Sequence, residues 1–165
     1  MSPGAAVARL AVWVHQRLRA AVDRLAPPEL LLAERITGVT GTVVAGALVA
    51  SGLAERLDDT PRSARELVGD GVLDGDTAER ILRGAAAVGL LDLSDAGFRR
   101  NRLTRALQPE APRTLGPLAV FLASEVNLRA WSRFLEAVCS GEVPFRRAHG
   151  RSVWEHLASS EEDGA

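Results

Sequence analysis

The stretch TPRSARELVGDGVLDGDTAERILRGAAAVGLLDLSDAGFRRNRLTRAL, residues 60–107, holds four elements in a telling order. Ser63 with Glu66 three residues on has capping-box spacing, so a short helix starts there, with Leu67 and Val68 as its apolar face. GDGVLDGD is a turn. Asp76 or Thr77 opens a second helix with Ile81, Leu82, Ala85 and Val88 inward and Gly89 at its end. LLDLSDAGFRRNRLT reads as two short strands around a Ser94–Gly97 turn. Helix, turn, helix and β-hairpin make a winged-helix unit, so the expected fold is mostly α with one short hairpin.

A winged helix raises the question of DNA, and charge answers it. Residues 55–98 carry five Arg against ten Asp or Glu, net −5, with Asp70, Asp74, Asp76 and Glu79 crowding the start of the would-be recognition helix. Phosphate neutralisation supplies most of a DNA-binder's affinity, so this face is wrong for it. Residues 99–151 are basic, with ten Arg against four Glu, and Arg99, Arg100, Arg102 and Arg105 have the place of a phosphate-binding wing. The simpler reading is a charged hairpin edge that blocks strand addition. A winged-helix transcription regulator is thus the second choice, and no nucleic-acid partner is expected.

On the N-terminal side, Val7, Ala11, Val14, Leu18, Val22 and Leu25 recur at spacings of four and three, an amphipathic helix over 5–25. APPEL (26–30) ends it and starts the next. ITGVTGTVVAGALVASGLA, residues 36–54, then runs without a charge. Seven of its residues are large aliphatics and the other twelve are Gly, Ala, Thr or Ser, so bilayer insertion is weakly driven. A helix apolar nearly all round is instead one surrounded by protein, here expected inside a dimer built through 5–54. This second helix should run from Pro28 to about Ser51, bent near Gly38 or Gly41, with Gly52 as its cap. No membrane partner and no signal peptide are expected, because Arg9, His15, Arg17 and Arg19 break the leading apolar run. Cys139 is the one cysteine, so no internal disulfide forms and a reducing cytoplasm is the expected location. The 20 basic residues are all Arg and Tyr is absent, which reads as a high-GC, actinobacterial-type bias.

On the C-terminal side, one long helix is expected from about Leu118 to Cys139, with Leu118, Phe121, Leu122, Val126, Trp131, Phe134, Leu135 and Val138 apolar. Residues 140–157 read as a loop and a short helix, and 158–165 as a polar tail. The chain through 157 is expected to be one domain. Catalytic groups are not evident. His15, His149 and His156 lack metal spacing with Cys139 or each other, and neither a P-loop nor a glycine-rich cofactor fingerprint occurs. Phe121, Trp131, Phe134, Phe145 and Trp154 are the suggestive residues: most pack a core, and some suit a groove for a flat aromatic ligand.

ALVASGLAERL, RSARELVGDGVLDGDTAERILRGAAAVGLL, FRRNRLTRAL, AWSRFLEAV and PFRRAHGRSVWEHL occur here in one order and spacing. Over about 28–157 the chain resembles the N-terminal dimerisation domain of class I SAM-dependent O-methyltransferases, of the bacterial polyketide-tailoring and plant caffeate types. The resemblance implies a homodimer interlocked through 5–54, a winged-helix unit over 60–107 that does not read DNA, and helices over 118–157 forming a wall of the acceptor-substrate pocket. The wall residues so implied are Phe121, Asn127, Trp131, Phe134 and Phe145. In the family a Rossmann-type domain holding SAM follows, and it is absent from these residues. The chain is therefore expected to hold no cofactor and no catalytic residue, with SAM supplied only by a catalytic domain in cis or in a separate methyltransferase chain. The expected ligand is a small aromatic natural product. A stand-alone natural-product binder or cyclase-like protein is the third reading.

Overall fold

The computed structural model describes residues 3–69 and 73–162, and the turn holding Asp70 lies outside them. The chain divides into two units between Val39 and Thr40.

The first unit holds α1 (Pro3–Leu25) and α2 (Pro28–Ile36), with Pro28 in the first turn of α2 as its fixed φ allows. Asp23 and Arg35 join them at 3.2 Å. The α1 stripe is uncovered: Val7, Leu10, Leu18, Val22 and Leu25 are all exposed.

α3 (Gly38–Ala50) starts after a break at Thr37, whose hydroxyl donates back to Ala33 O at 2.8 Å. The expected bend near Gly38 is thus a break one residue earlier. Only the C-terminal half of α3 is buried, at Gly46 and Leu48, while Val39 and Val43 face solvent. Among the described residues no single helix is long and apolar enough to cross a membrane. Gly52, at φ 72°, turns the chain into α4 (Leu53–Arg56).

The winged-helix unit follows. α5 (Ala64–Val68) carries the capping box expected from Ser63 and Glu66. Arg56 closes its other end by donating to the Leu67 and Val68 carbonyls. α6 (Gly75–Ala87) begins earlier than the sequence suggests, because Asp74 is its cap: its carboxylate accepts from Thr77 N at 2.9 Å. Ala78, Leu82 and Ala85 are buried along it. Val88, expected inward, is the C-cap and is exposed. β1 (Leu91–Ser94) and β2 (Gly97–Arg100) pair antiparallel, Leu91 opposite Arg100 and Ser94 opposite Gly97. Arg62 adds a bridge to Phe98 across the other edge of β2, with backbone bonds of 2.9 and 2.8 Å. Gly97 is required there, because its φ is +118° and a Cβ would meet Arg62 O at 2.5 Å.

One core joins α3 to the wing: Leu48, Leu53, Leu57, Leu67, Ala78, Leu82, Leu91, Phe98 and Leu107. Its polar members are satisfied. Gln108 Nε2 donates to Ala54 O and Leu57 O, both at 2.8 Å, and Thr104 Oγ1 donates to Leu90 O. α7 (Arg102–Leu107) is capped by Asn101, which accepts from Leu103 N and Thr104 N and donates to Gly89 O at 3.1 Å.

The long helix expected over 118–139 is three: α8 (Gly116–Ala123), α9 (Glu125–Ser132) and α10 (Phe134–Ser140). Ser124 breaks the first join. Its backbone is extended, and its hydroxyl donates to Phe121 O and caps α9 by accepting from Asn127 N. Arg133 separates α9 from α10. Residues 140–157 hold α11 (Pro144–His149) and α12 (Val153–Glu162) rather than a loop and one helix, with Gly150 at φ 71° between them. α12 takes in part of the expected polar tail.

Candidate functional site

The five wall residues implied by the resemblance fall in four places. Trp131, at the end of α9, and Phe134, at the start of α10, form a tilted ring pair with centroids 5.7 Å apart. Trp131 is 60% exposed and Phe134 48%, with Leu135 and Val138 exposed beside them on α10. Expected as part of a buried stripe, they make an open apolar surface instead. The chain bends at Ser124 and Arg133, so the periodic positions no longer share one buried face.

Phe145 is elsewhere and is only 7% exposed. Its ring lies 4.6 Å from that of His149 and 5.6 Å from that of His156, and the two imidazoles stack at 6.2 Å. His149 Nε2 meets Val126 O at 2.9 Å; a carbonyl only accepts, so Nε2 carries the proton. Arg151 meets His156 Nδ1 at 2.6 Å; a guanidinium only donates, so Nδ1 accepts. Glu155 accepts from Ser152 N, which holds its carboxyl below the usual range. The stack ties α11 and α12 to α9. Sequence reasoning treated these histidines singly and missed it. The available signal was the pair of imidazoles flanking a glycine turn that folds them together.

Asn127 serves the α8–α9 corner, its Nδ2 donating to Leu122 O at 2.8 Å. Phe121, on α8, lines a fourth place, a pocket of about 590 Å³ with Val49, Leu107, Pro117 and Val120, and with Glu55 as the one carboxylate among its described lining residues.

Three of the four arginines of the supposed wing, Arg99, Arg100 and Arg105, are engaged within the fold. Asp59 holds two of them: Arg100 Nε and Nη2 each donate at 3.1 Å and Arg105 Nη2 at 2.7 Å. These bonds, Arg100's first, hold the Asp59 carboxyl far below the usual carboxylate range and raise the Arg100 guanidinium. Arg99 pairs with Asp92 at 3.1 Å, and Arg83 of α6 pairs with Glu79 at 2.7 Å. A phosphate-reading surface needs such cations directed outward.

Among the described residues no group of three or more His, Cys, Asp or Glu is placed to hold a metal. Nor do these residues fit SAM. Their only sheet is the antiparallel β1–β2 hairpin, with no parallel strand leading through a glycine turn into a helix N-terminus.

No protein-family model matches the chain. It is 28% identical over 137 residues to the phenazine O-methyltransferase PhzM of Lysobacter antibioticus, covering 82% of this chain and 40% of that protein. It is 33% identical over 108 residues to the mitomycin biosynthesis 6-O-methyltransferase of Streptomyces lavendulae, covering 63% of this chain and 30% of that one. Among solved structures, LaPhzM superposes with a TM-score of 0.72 at 28% identity over 83% of this chain and 41% of its own. The mitomycin 7-O-methyltransferase MmcR superposes at 0.65 with 29% identity, over 85% of this chain and 40% of its own. The fold is thus that of one portion of a larger class of proteins, and the chain spans 30–40% of the length of these curated relatives. Its homologues are bacterial O-methyltransferases of natural-product biosynthesis, and the portion shared is consistent with their N-terminal dimerisation domain.

Proposed function

We propose that the chain is the dimerisation and substrate-capping part of an O-methyltransferase-like protein of natural-product biosynthesis. Two copies associate through residues 5–54, and α9–α11 supply one wall against a flat aromatic acceptor. The observation that carries this reading is the uncovered apolar surface of α1 and of the first half of α3, in a chain homologous to these enzymes. A second copy covers it without any new sequence.

Trp131 and Phe134 are the wall's contact residues, because their rings are paired and open to a ligand. Stacking on such rings suits a planar aromatic. Phe145 sets the wall from behind through its stack with His149 and His156, Asn127 fixes the α8–α9 corner, and Phe121 lines the neighbouring pocket. Methyl transfer is not assigned to these residues; SAM comes with a catalytic domain, in cis or on a separate chain.

The test has two arms. Sedimentation equilibrium of the purified chain should give the mass of two chains. Titration with a hydroxylated phenazine, chosen because the Lysobacter antibioticus relative is a phenazine O-methyltransferase, should quench tryptophan fluorescence, and Trp131→Ala should abolish most of that quenching. A monomer at every concentration, or quenching unchanged in Trp131→Ala, overturns the corresponding half. Methyl transfer from SAM by this chain alone overturns the division of labour.

A further inference from the structure

The pocket of about 590 Å³ beside Phe121 is built within the second unit, from the end of α3, α4, the end of α7 and the start of α8. Its walls are Val49, Leu107, Pro109, Pro117, Val120 and Phe121. Hydrogen bonds fix its frame. Gln108, 6% exposed, ties the end of α7 to the carbonyls of Ala54 and Leu57 at α4. Thr114 Oγ1 donates to Leu107 O at 3.2 Å and accepts from Gly116 N at 3.1 Å. A Cβ on Gly116 would meet Leu107 O at 2.6 Å, so glycine lets α8 start this close to α7. The cavity is therefore preformed, and its size and apolar walls suit a small organic ligand.

One polar group in it is left over. Thr114 uses its hydroxyl as both donor and acceptor inside the loop. Glu55 is different: among the described residues its carboxylate makes no hydrogen bond and no ion pair. Acids close to it in the chain are engaged, Asp58 with Arg62, Asp59 with Arg100 and Arg105, and Glu66 in the α5 cap. The described lining of the pocket holds no Arg or His to answer Glu55. A ligand that fills the pocket takes water from one side of that carboxylate. An anionic ligand is repelled, and a neutral one leaves the carboxylate short of donors, whereas an ammonium supplies both charge and N–H groups. The apolar walls take the rest of the ligand, and the Phe121 ring favours an organic cation or a flat apolar group.

We infer that this pocket binds a protonated primary amine carried on a small ring system, with Glu55 as its counter-ion. The inference goes beyond the wall reading: Trp131 and Phe134 do not line the cavity, and the wall specifies no charge on its ligand. Nor does it rest on the homodimer, whose uncovered surface on α3 lies at Val39 and Val43, toward the other end of the helix.

The experiment uses the whole chain at neutral pH and three probes of one shape and different charge: naphthylethylamine, naphthylethanol and naphthylacetate. Calorimetry gives the affinities, and isotope-edited amide shifts give the location. Expected is amine binding about fivefold tighter than that of the alcohol, as a partly solvated charge pair gives, with the acetate weakest. Glu55→Gln, nearly isosteric and at an exposed position, should remove that preference and leave the alcohol unchanged. The shifts should centre on Val49, Leu107, Thr114 and Val120. Val120→Trp, at a residue 38% exposed, should fill the pocket and abolish binding of all three probes. Trp131→Ala should change none of this.

Other outcomes overturn the inference. Equal affinity for the three probes, or an amine preference that survives Glu55→Gln, removes Glu55 as the counter-ion. Failure of all three to bind at millimolar concentration removes the site. Amine binding that is lost in Trp131→Ala, with shifts on α9 and α10, moves the ligand to the wall, leaving the wall reading standing and this inference refuted.

Discussion

Gly46 offers the sharpest test of how α3 packs. It is buried in the C-terminal half of α3, facing Ala119 and Ala123 of α8. A Cβ built on Gly46 falls far inside van der Waals contact distance of Ala123 Cβ and 3.0 Å from Ala119 O. Neither atom is the end of a flexible side chain, so Gly46→Ala must push two helices apart. Two effects of opposite sign compete. Replacing Gly by Ala within a helix gains about 1 kcal/mol of intrinsic propensity. Overpacking a tight contact costs about 1–3 kcal/mol, and rigid backbone on the other side puts this site at the upper end. The net expectation is a loss of about 1–2 kcal/mol, read as a lower urea midpoint at unchanged slope. Gly84→Ala, in α6, is the control. Its Cβ would meet the Val44 methyls at 3.7 and 3.8 Å, ordinary contact, so only the gain of about 1 kcal/mol remains. Ala123→Gly in the Gly46→Ala background should recover part of the loss, giving a favourable coupling in a double-mutant cycle. If Gly46→Ala stabilises as much as Gly84→Ala, the close approach of α3 and α8 is wrong.

Three further predictions use the same protein. Asn101→Ala removes the α7 cap and the bond to Gly89 O, and should cost about 1–2 kcal/mol in urea unfolding; Asn101→Asp, which keeps the acceptor, should cost less. Asp59 has a depressed carboxyl pKa in the folded state, so its contribution is present at neutral pH and is lost as pH falls below about 4. The stability gap between wild type and Asp59→Asn should therefore be widest near neutrality and close toward pH 2; a gap independent of pH would refute the Arg100–Asp59–Arg105 assignment. Phe145→Ala should destabilise by about 3 kcal/mol, because the ring is buried, whereas Trp131→Ala should change stability by less than about 0.5 kcal/mol while removing ligand quenching.

What could be read from residues was whatever local chemistry decides. Ser63 and Glu66 state a helix start by themselves, and the β-hairpin follows from the turn between Ser94 and Gly97. The winged-helix unit was legible for that reason. The break at Ser124 was not, although a serine three residues before Asn127 is an acceptable cap, because an apolar period running through it argues for continuity. Asp59 was also hidden: its partners Arg100 and Arg105 lie 41 and 46 residues away, and only the fold of β2 and α7 brings them to one carboxylate.

The candidate site was legible as residue types and not as an arrangement. Phe145 and Trp131 look alike in the sequence, yet one is buried on two imidazoles and the other stands open. The reason is general to this chain. Periodicity reports that a helix has an apolar face; it does not report whose core that face enters. Along α6 the stripe enters the core, and Leu82 is fully buried. Along α1 an equally regular stripe is exposed, Leu25 to 87%. Both patterns satisfy the same rule in the sequence. Around α6 there is a hydrogen-bonded framework, built by the Asp74 cap, the Arg62–Phe98 bridge and Gln108. A stripe with such a framework around it is the inside of a fold, and the period of a stripe in the sequence does not say whether one is there.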